Sequence, residues 1–438
     1  MKKILVVLLI LAVAGGVFAQ QGDWSLSGSV EVGTRINIDP QPDIDDDDPA
    51  LTGGNVFNGW QTQRGVFRLS YSRDVFNSGV ELNGDNWGST NFYTAFDGEN
   101  YSAKFAFNAL DGIIGSSGGT TKIDQLWGEY RFLNGMVILK AAYNTGWSGG
   151  DWHSDGSGAW ADTGDRTDGF DYGQGVAFTT SAYGFSQNQL KAAVNLEALN
   201  FGIMIPNLFR FGASEYSASD KVEFVNGSLR QSVFGLKFAQ SPFEFAAQFA
   251  LAKLGVYFGG KYFAGPITVG LSFMGELDGD SYKTPEAPND ADYQHIKFGG
   301  SVGYNGGDFG GGVLAFYEKK DEEARASDWY YTVIAIEPDF FYNAIPSHLQ
   351  FKLNVGFYFF NATNGTVSEK ATVWSLKPQI FWNFLGTGAG DWGVSNTGIA
   401  IRYRMSNADL REVDTRDMWG LGVNKSQNSL EFLFRWGF

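Results

Sequence analysis

The strongest constraint in the sequence is an alternation of two that closes the chain. In the last eleven residues, Leu430, Phe432, Phe434, Trp436 and Phe438 occupy every second position, and Glu431 and Arg435 fall between them. Successive side chains of a strand point to opposite faces, so this segment has one apolar, aromatic face and one mixed face. The pattern recurs upstream. Leu349, Phe351, Leu353, Val355, Phe357 and Phe359 share one face, and His348, Gln350, Lys352, Asn354, Gly356 and Tyr358 share the other. Near the start, Trp24, Leu26, Gly28, Val30, Val32, Thr34, Ile36 and Ile38 alternate with Ser25, Ser27, Ser29, Glu31, Gly33, Arg35 and Asn37. Near the end, Ile399, Ile401, Tyr403 and Met405 alternate with Ala400, Arg402 and Arg404. Runs of about ten residues match the length a tilted strand needs to cross a bilayer.

The connections come in two lengths that mostly alternate. Short ones, such as Asp97-Gly98-Glu99-Asn100, Leu133-Asn134-Gly135, Gln240-Ser241-Pro242, Ala264-Gly265-Pro266 and Asn305-Gly306-Gly307-Asp308, suit tight hairpins. Long ones fall at 39–60, 109–120, 145–172, 206–227, 278–293, 319–327, 361–370 and 406–426. Strands are expected at 24–38, 61–73, 78–86, 91–96, 101–108, 121–132, 136–144, 173–182, 189–205, 228–239, 243–251, 255–263, 267–277, 294–304, 309–318, 328–342, 348–360, 371–384, 396–405 and 428–438. That makes twenty, or eighteen or sixteen if the hairpins at 78–96 and 173–205 fail. The expected fold is all-β: a transmembrane, antiparallel, up-and-down barrel of 16–20 strands. A soluble propeller would show a fixed internal repeat, and none is present.

Composition agrees. The chain has 58 glycines, 16% aromatic residues and no cysteine, so disulfides and thiolate metal sites are excluded. Aromatic residues would form girdles at the two membrane interfaces, and glycine suits bends and crowded positions. The net charge of −16, without a basic cluster, argues against nucleic acid as a partner. Lys2 and Lys3 precede an apolar run from Ile4 to Val17, and Val17-Phe18-Ala19 forms a small-residue cleavage site. Residues 1–19 therefore read as a signal peptide and 20–438 as a single barrel domain.

The aromatic alternating end with its terminal Phe438 resembles the C-terminal strand of bacterial outer-membrane β-barrels. That resemblance implies an outer-membrane location with both termini periplasmic. It also implies that Phe438, Trp436 and Phe434 are read by the barrel-assembly machinery. The architecture is similar to that of general porins, in which a basic wall faces an acidic, inward-folded loop. By that likeness, Arg35, Arg68, Arg402, Arg404 and Arg435 line the pore, and Asp111, in the connection after the fifth expected strand, is the facing acid. The bland alternative is that these arginines are hydrated or paired with Glu31 and Glu431.

Two loops are acidic: Asp39, Asp43, Asp45, Asp46, Asp47 and Asp48 in one, and Asp151, Asp155, Asp162, Asp165, Asp168 and Asp171 in the other. Neither follows the spacing of a calcium loop, so no metal or cofactor is expected. Of the three histidines, His153 lies among carboxylates in a glycine-rich loop, poor support for catalysis. The chain is not expected to be an enzyme. Asn361-Ala362-Thr363 and Asn364-Gly365-Thr366 read as a turn-rich loop. Partners are outer-membrane lipid and small hydrophilic solutes or ions crossing by passive diffusion, with room for a homo-oligomer. The alternatives are an adhesin or structural protein with a closed lumen, and a sugar-specific channel suggested by Trp147, Trp152 and Trp160 in one loop.

Overall fold

A computed structural model describes residues 23–37, 63–83, 89–108, 122–143, 188–206, 232–251, 255–276, 293–322, 329–364, 367–385, 397–406 and 427–437. Every element among them is a strand: β1 (Asp23–Asn37), β2 (Gln63–Arg73), β3 (Phe76–Asn83), β4 (Ser89–Asp97), β5 (Tyr101–Asn108), β6 (Lys122–Phe132) and β7 (Val137–Tyr143). Then come β8 (Asn188–Leu196), β9 (Leu199–Pro206), β10 (Val233–Gln240), β11 (Phe243–Ala250), β12 (Gly255–Ala264), β13 (Ile267–Glu276) and β14 (Tyr293–Asn305). The last six are β15 (Phe309–Glu322), β16 (Trp329–Ile345), β17 (Leu349–Asn364), β18 (Val367–Asn383), β19 (Gly398–Ser406) and β20 (Gln427–Gly437).

Each strand pairs antiparallel with the next, and the first pairs with the last. The closing register runs from Ser29 opposite Gly437 to Asn37 opposite Ser429. A sheet that returns to its first strand has no edge, so its backbone groups are satisfied within the wall. The molecule is a twenty-stranded up-and-down barrel.

The count of twenty agrees with the sequence, although one expected strand is a hairpin. The segment 189–205 is not one strand. It is the β8–β9 hairpin, turning at Glu197, whose φ is +44°. The strand expected at 173–182 lies outside the described residues. The connection expected at 361–370 is instead wall: β17 runs to Asn364 and β18 starts at Val367, so both sequon-like triplets begin within a strand. Thr363 and Ser368 face each other across that hairpin at 2.6 Å.

The described turns with positive φ gather at one end. Positive φ appears at Asp74 (48°), Asn134 (55°), Gly135 (83°), Ser347 (64°) and Gly307 (87°). Two-residue hairpins need this backbone to match the strand twist. At Gly307 the turn is further fixed by the Asn305 side chain, which accepts from its amide at 3.0 Å.

The two faces of the wall are inverted relative to a soluble protein. On β17, Phe351, Phe357 and Phe359 are exposed, whereas Gln350, Lys352 and Tyr358 are buried. On β20, Phe432, Phe434 and Trp436 are exposed, whereas Glu431, Leu433 and Arg435 are buried. Exposure of scattered apolar residues is ordinary; a continuous apolar outer face with charges inside is not. Close to these turns, outer aromatic rings pair across strands, Trp24 with Tyr71 (5.0 Å), Phe76 with Phe96 (5.2 Å), Phe243 with Tyr262 (5.0 Å) and Tyr304 with Phe309 (5.5 Å), and along β6, Tyr130 with Phe132 (4.5 Å). Such a band is what a membrane–water interface selects.

Candidate functional site on the inner wall

Barrel closure decides which residues meet inside. Directly opposed residues share a face, so the register sorts the wall into rows. One row runs from Lys352 on β17 to Gln379 on β18, Arg402 on β19, Glu431 on β20 and position 35 on β1. The row nearer the tight turns joins Gly398, Arg435 and position 31. On the opposite side of the first row, Asp339 opposes Asn354, which opposes Lys377.

All five arginines singled out by the sequence fall at register positions of this inner face. Arg402 lies 3.9 Å from Glu431, and Arg435 is buried in the same wall. Positions 35 and 431 are directly opposed, as are Arg404 and Ser429. Arg68 is opposed to Glu81 on β3 and pairs with it at 2.5 Å. The counter-charges of Arg402 and Arg68 thus come from neighbouring strands of the same wall. Asp111 lies outside the described residues, as do the two acidic loops, His153, the three loop tryptophans and Phe438. Phe434 and Trp436 face outward.

The wall holds more charge than arginines at the chain ends suggest. Lys352 and Arg402 both lie over the Phe381 ring, at 5.3 and 5.6 Å from its centre, in cation–π range. Tyr358 donates to the Glu337 carboxylate at 3.0 Å, and Gln379 donates to Asn354 at 2.8 Å. Lys297 on β14, half-buried, meets the buried Glu318 on β15 at 3.6 Å and stands over Phe316 at 5.0 Å. A charge taken from water must be repaid by a partner. The parity rule that places Arg402 inward also places Lys352, Lys377 and Glu337 inward. Attention to arginine at the chain ends alone misses them.

A second polar cluster lies across β4–β8. Arg131 donates to Glu129 at 2.9 Å and to Ser102 at 2.6 Å, and reaches Asp97 at 3.4 Å. Glu129 is opposed to Lys140, and Lys140 to Lys191. Between the two clusters, the inner face of β9–β13 is neutral at mid-height. It consists of Gly202, Met204, Val233, Gly235, Ala246, Gln248, Tyr257, Gly259, Ser272 and Met274. Near the turns with positive φ, Lys237 meets Glu244 at 3.4 Å.

His348 lies at the β16–β17 turn, its Nδ1 2.9 Å from the Asn383 carbonyl. Among the described residues, no three His, Asp or Glu side chains are grouped to hold a metal ion.

No family model matches the sequence, and no curated protein matches it. Among solved structures, the chain is similar to OpdO of Pseudomonas aeruginosa, with 8% identity over 96% of this chain and 97% of that one and a TM-score of 0.44. The outer membrane channel DcaP of Acinetobacter baumannii gives 10% identity, 95% and 97% coverage and a TM-score of 0.40. The outer-membrane expressed OmpT of Vibrio cholerae gives 12% identity, 95% and 98% coverage and a TM-score of 0.38. The barrel assignment rests on the strand pairing above, not on these likenesses.

Proposed function

We propose that the chain is an outer-membrane, porin-like channel through which small hydrophilic solutes or ions diffuse passively. The observation that carries this reading is the inversion of the wall, apolar outside and charged inside, on a closed barrel of twenty strands. Side chains alone fill only a barrel of about eight strands, and barrels of sixteen to eighteen enclose an aqueous channel. Selection would come from size and from the inner rows of charge, with Arg402, Arg404 and Arg435 among the groups that act on a passing ion. The residues at 1–19 would direct export, and the chain termini would face the periplasm.

A second reading is a barrel with a closed lumen that acts through its loops. One observation favours it: the inner-wall side chains are deeply buried, with Tyr257 and Leu314 at 0% and Tyr358 and Glu431 at 1% exposure. Single-channel recording of detergent-folded protein in a planar bilayer separates the two. Stepwise conductance under a salt gradient supports the channel. A correctly folded barrel that inserts and stays silent supports the closed lumen.

A further inference from the structure

The outer face of four neighbouring strands changes character before the strands end. β15–β18 run to 14, 17, 16 and 17 residues, against 7 in β7 and 8 in β10. Their outward positions are apolar from Phe309 to Tyr317, from Ile334 to Tyr342, from Leu349 to Phe359 and from Trp374 to Trp382. Each stretch matches the ~9–11 residues with which a tilted strand crosses the hydrocarbon. Past it the same face turns polar. Lys319 is opposed to Thr332, Thr332 to Asn361 and Asn361 to Lys370, in one row. Tyr330, Thr363 and Ser368 make the next row. Lys370 and Ser368 are exposed, and Lys319 stands over the Tyr330 ring at 5.8 Å.

What lies against this row follows from what lies against the stretch before it. Ile334 and Phe359, 50% and 45% exposed, face lipid chains. Two residues further is about 6.6 Å along a strand, or about 5 Å of height at a tilt of ~40°. The headgroup layer of one leaflet is about 5–8 Å deep, so the polar row opens into it. We propose that this outer face of β15–β18, with Lys319 and Lys370 at the two ends of the row and Thr332 and Asn361 between them, is a docking surface for the anionic, phosphate-bearing headgroups of membrane lipid. The lysines supply charge-assisted contacts to phosphate oxygens, and the hydroxyl and amide between them donate to the same groups. The two lysines are three strand spacings, about 14 Å, apart, so they serve adjacent headgroups rather than one. Neither needs to lack a protein partner, because ion pairs at a water-exposed rim are worth only ~0–1 kcal/mol and exchange for a headgroup anion. The inference goes beyond the channel reading and rests on the barrel alone.

The test is titration of detergent-folded protein with phosphatidylglycerol, and separately with zwitterionic phosphatidylcholine, counted by native mass spectrometry. Wild type is expected to bind phosphatidylglycerol more tightly, with the preference falling as salt rises. Lys370→Gln should lower that preference about fivefold, the effect of one lysine at a membrane surface, and Lys319→Gln with Lys370→Gln should lower it further. Lys237→Gln, on the inner wall, should leave it unchanged. Equal binding of the two lipids by wild type overturns the proposal, as does a preference that survives the double variant or that Lys237→Gln weakens equally. A dimer of the barrel that the double variant abolishes, without any lipid preference, would assign the face to a second copy and overturn it too. Conductance is independent of these outcomes: a silent barrel with the lipid preference loses only the channel, and a conducting barrel without it loses only the docking surface.

Discussion

The inner wall has two arcs of opposite character under one uniform outer skin. On β16–β20, buried positions hold Glu337, Asp339, Lys352, Lys377, Glu431 and Arg435; on β9–β13 they hold Met204, Val233, Ala246, Tyr257 and Met274 at the same mid-height. Outside, the two arcs cannot be told apart: Phe340, Phe357 and Phe359 cover one, and Phe234, Phe258 and Leu271 the other. A hydrocarbon solvent makes a single demand, apolarity, at every outward position. The interior is free of that demand, so its variation from arc to arc reflects what the lumen must do. Charge is concentrated where the chain ends meet and at β4–β8, with a neutral stretch between.

The largest effect should show that the outer skins are equivalent. Phe357→Arg on the charged arc and Leu271→Arg on the neutral arc should each lower stability by about 2–4 kcal/mol, the cost of an arginine on the lipid face near the midplane. Denaturant titration in lipid vesicles measures both, and a loss confined to one arc would break the equivalence. Next comes the inner difference. Glu431→Gln removes the carboxylate 3.9 Å from Arg402 and should cost about 1–3 kcal/mol. Ser272→Ala on the neutral arc should cost less than about 1 kcal/mol. Thermal unfolding in detergent compares them, and equal losses would show that the charged rows have no special structural part.

A smaller effect concerns selectivity. Replacing Arg402 and Arg404 by Glu should move the reversal potential toward cations, by a several-fold change in permeability ratio, since each charge is worth about 1 kcal/mol across a few ångströms of water. Gln248→Glu on the neutral arc adds one charge rather than reversing two and should move it less. An unaltered potential in the double variant would place Arg402 and Arg404 away from the narrowest point. The smallest effect is at the aromatic band. Trp382→Ala removes an edge-on contact with Phe384 at 5.7 Å and should cost about 0.5–1.5 kcal/mol, read from the same thermal unfolding.

Much of the barrel is legible in the sequence because its two solvents enforce a period of two. The alternation at 349–359 and at 430–436 fixes both the strands and their faces. Legibility fails where that contrast weakens. At 196–199 the turn consists of Leu196, Glu197, Ala198 and Leu199, with no glycine or proline among the four, so it left no mark in the sequence; the β8–β9 register and the positive φ of Glu197 reveal it. Asn361-Ala362-Thr363-Asn364 looks like a loop by composition yet extends the wall, because pairing with β18 holds it. The inner-facing positions of Arg68, Arg402 and Arg435 follow from parity alone. Their partners do not, since Glu81 and Glu431 become neighbours only through register and closure. The opposed lysines 140 and 191 are invisible to parity reading because 51 positions separate them and a long connection lies between.

The absence of native cysteine permits a direct test of the inverted wall. Single cysteines placed in turn at positions 351–359 of β17, spin-labelled and reconstituted into vesicles, report oxygen access from lipid and nickel-chelate access from water. The account predicts an oscillation of period two, with oxygen access high at 351, 353, 355, 357 and 359 and low at the residues between. A flat profile, or one with its maxima at 352, 354, 356 and 358, would contradict it.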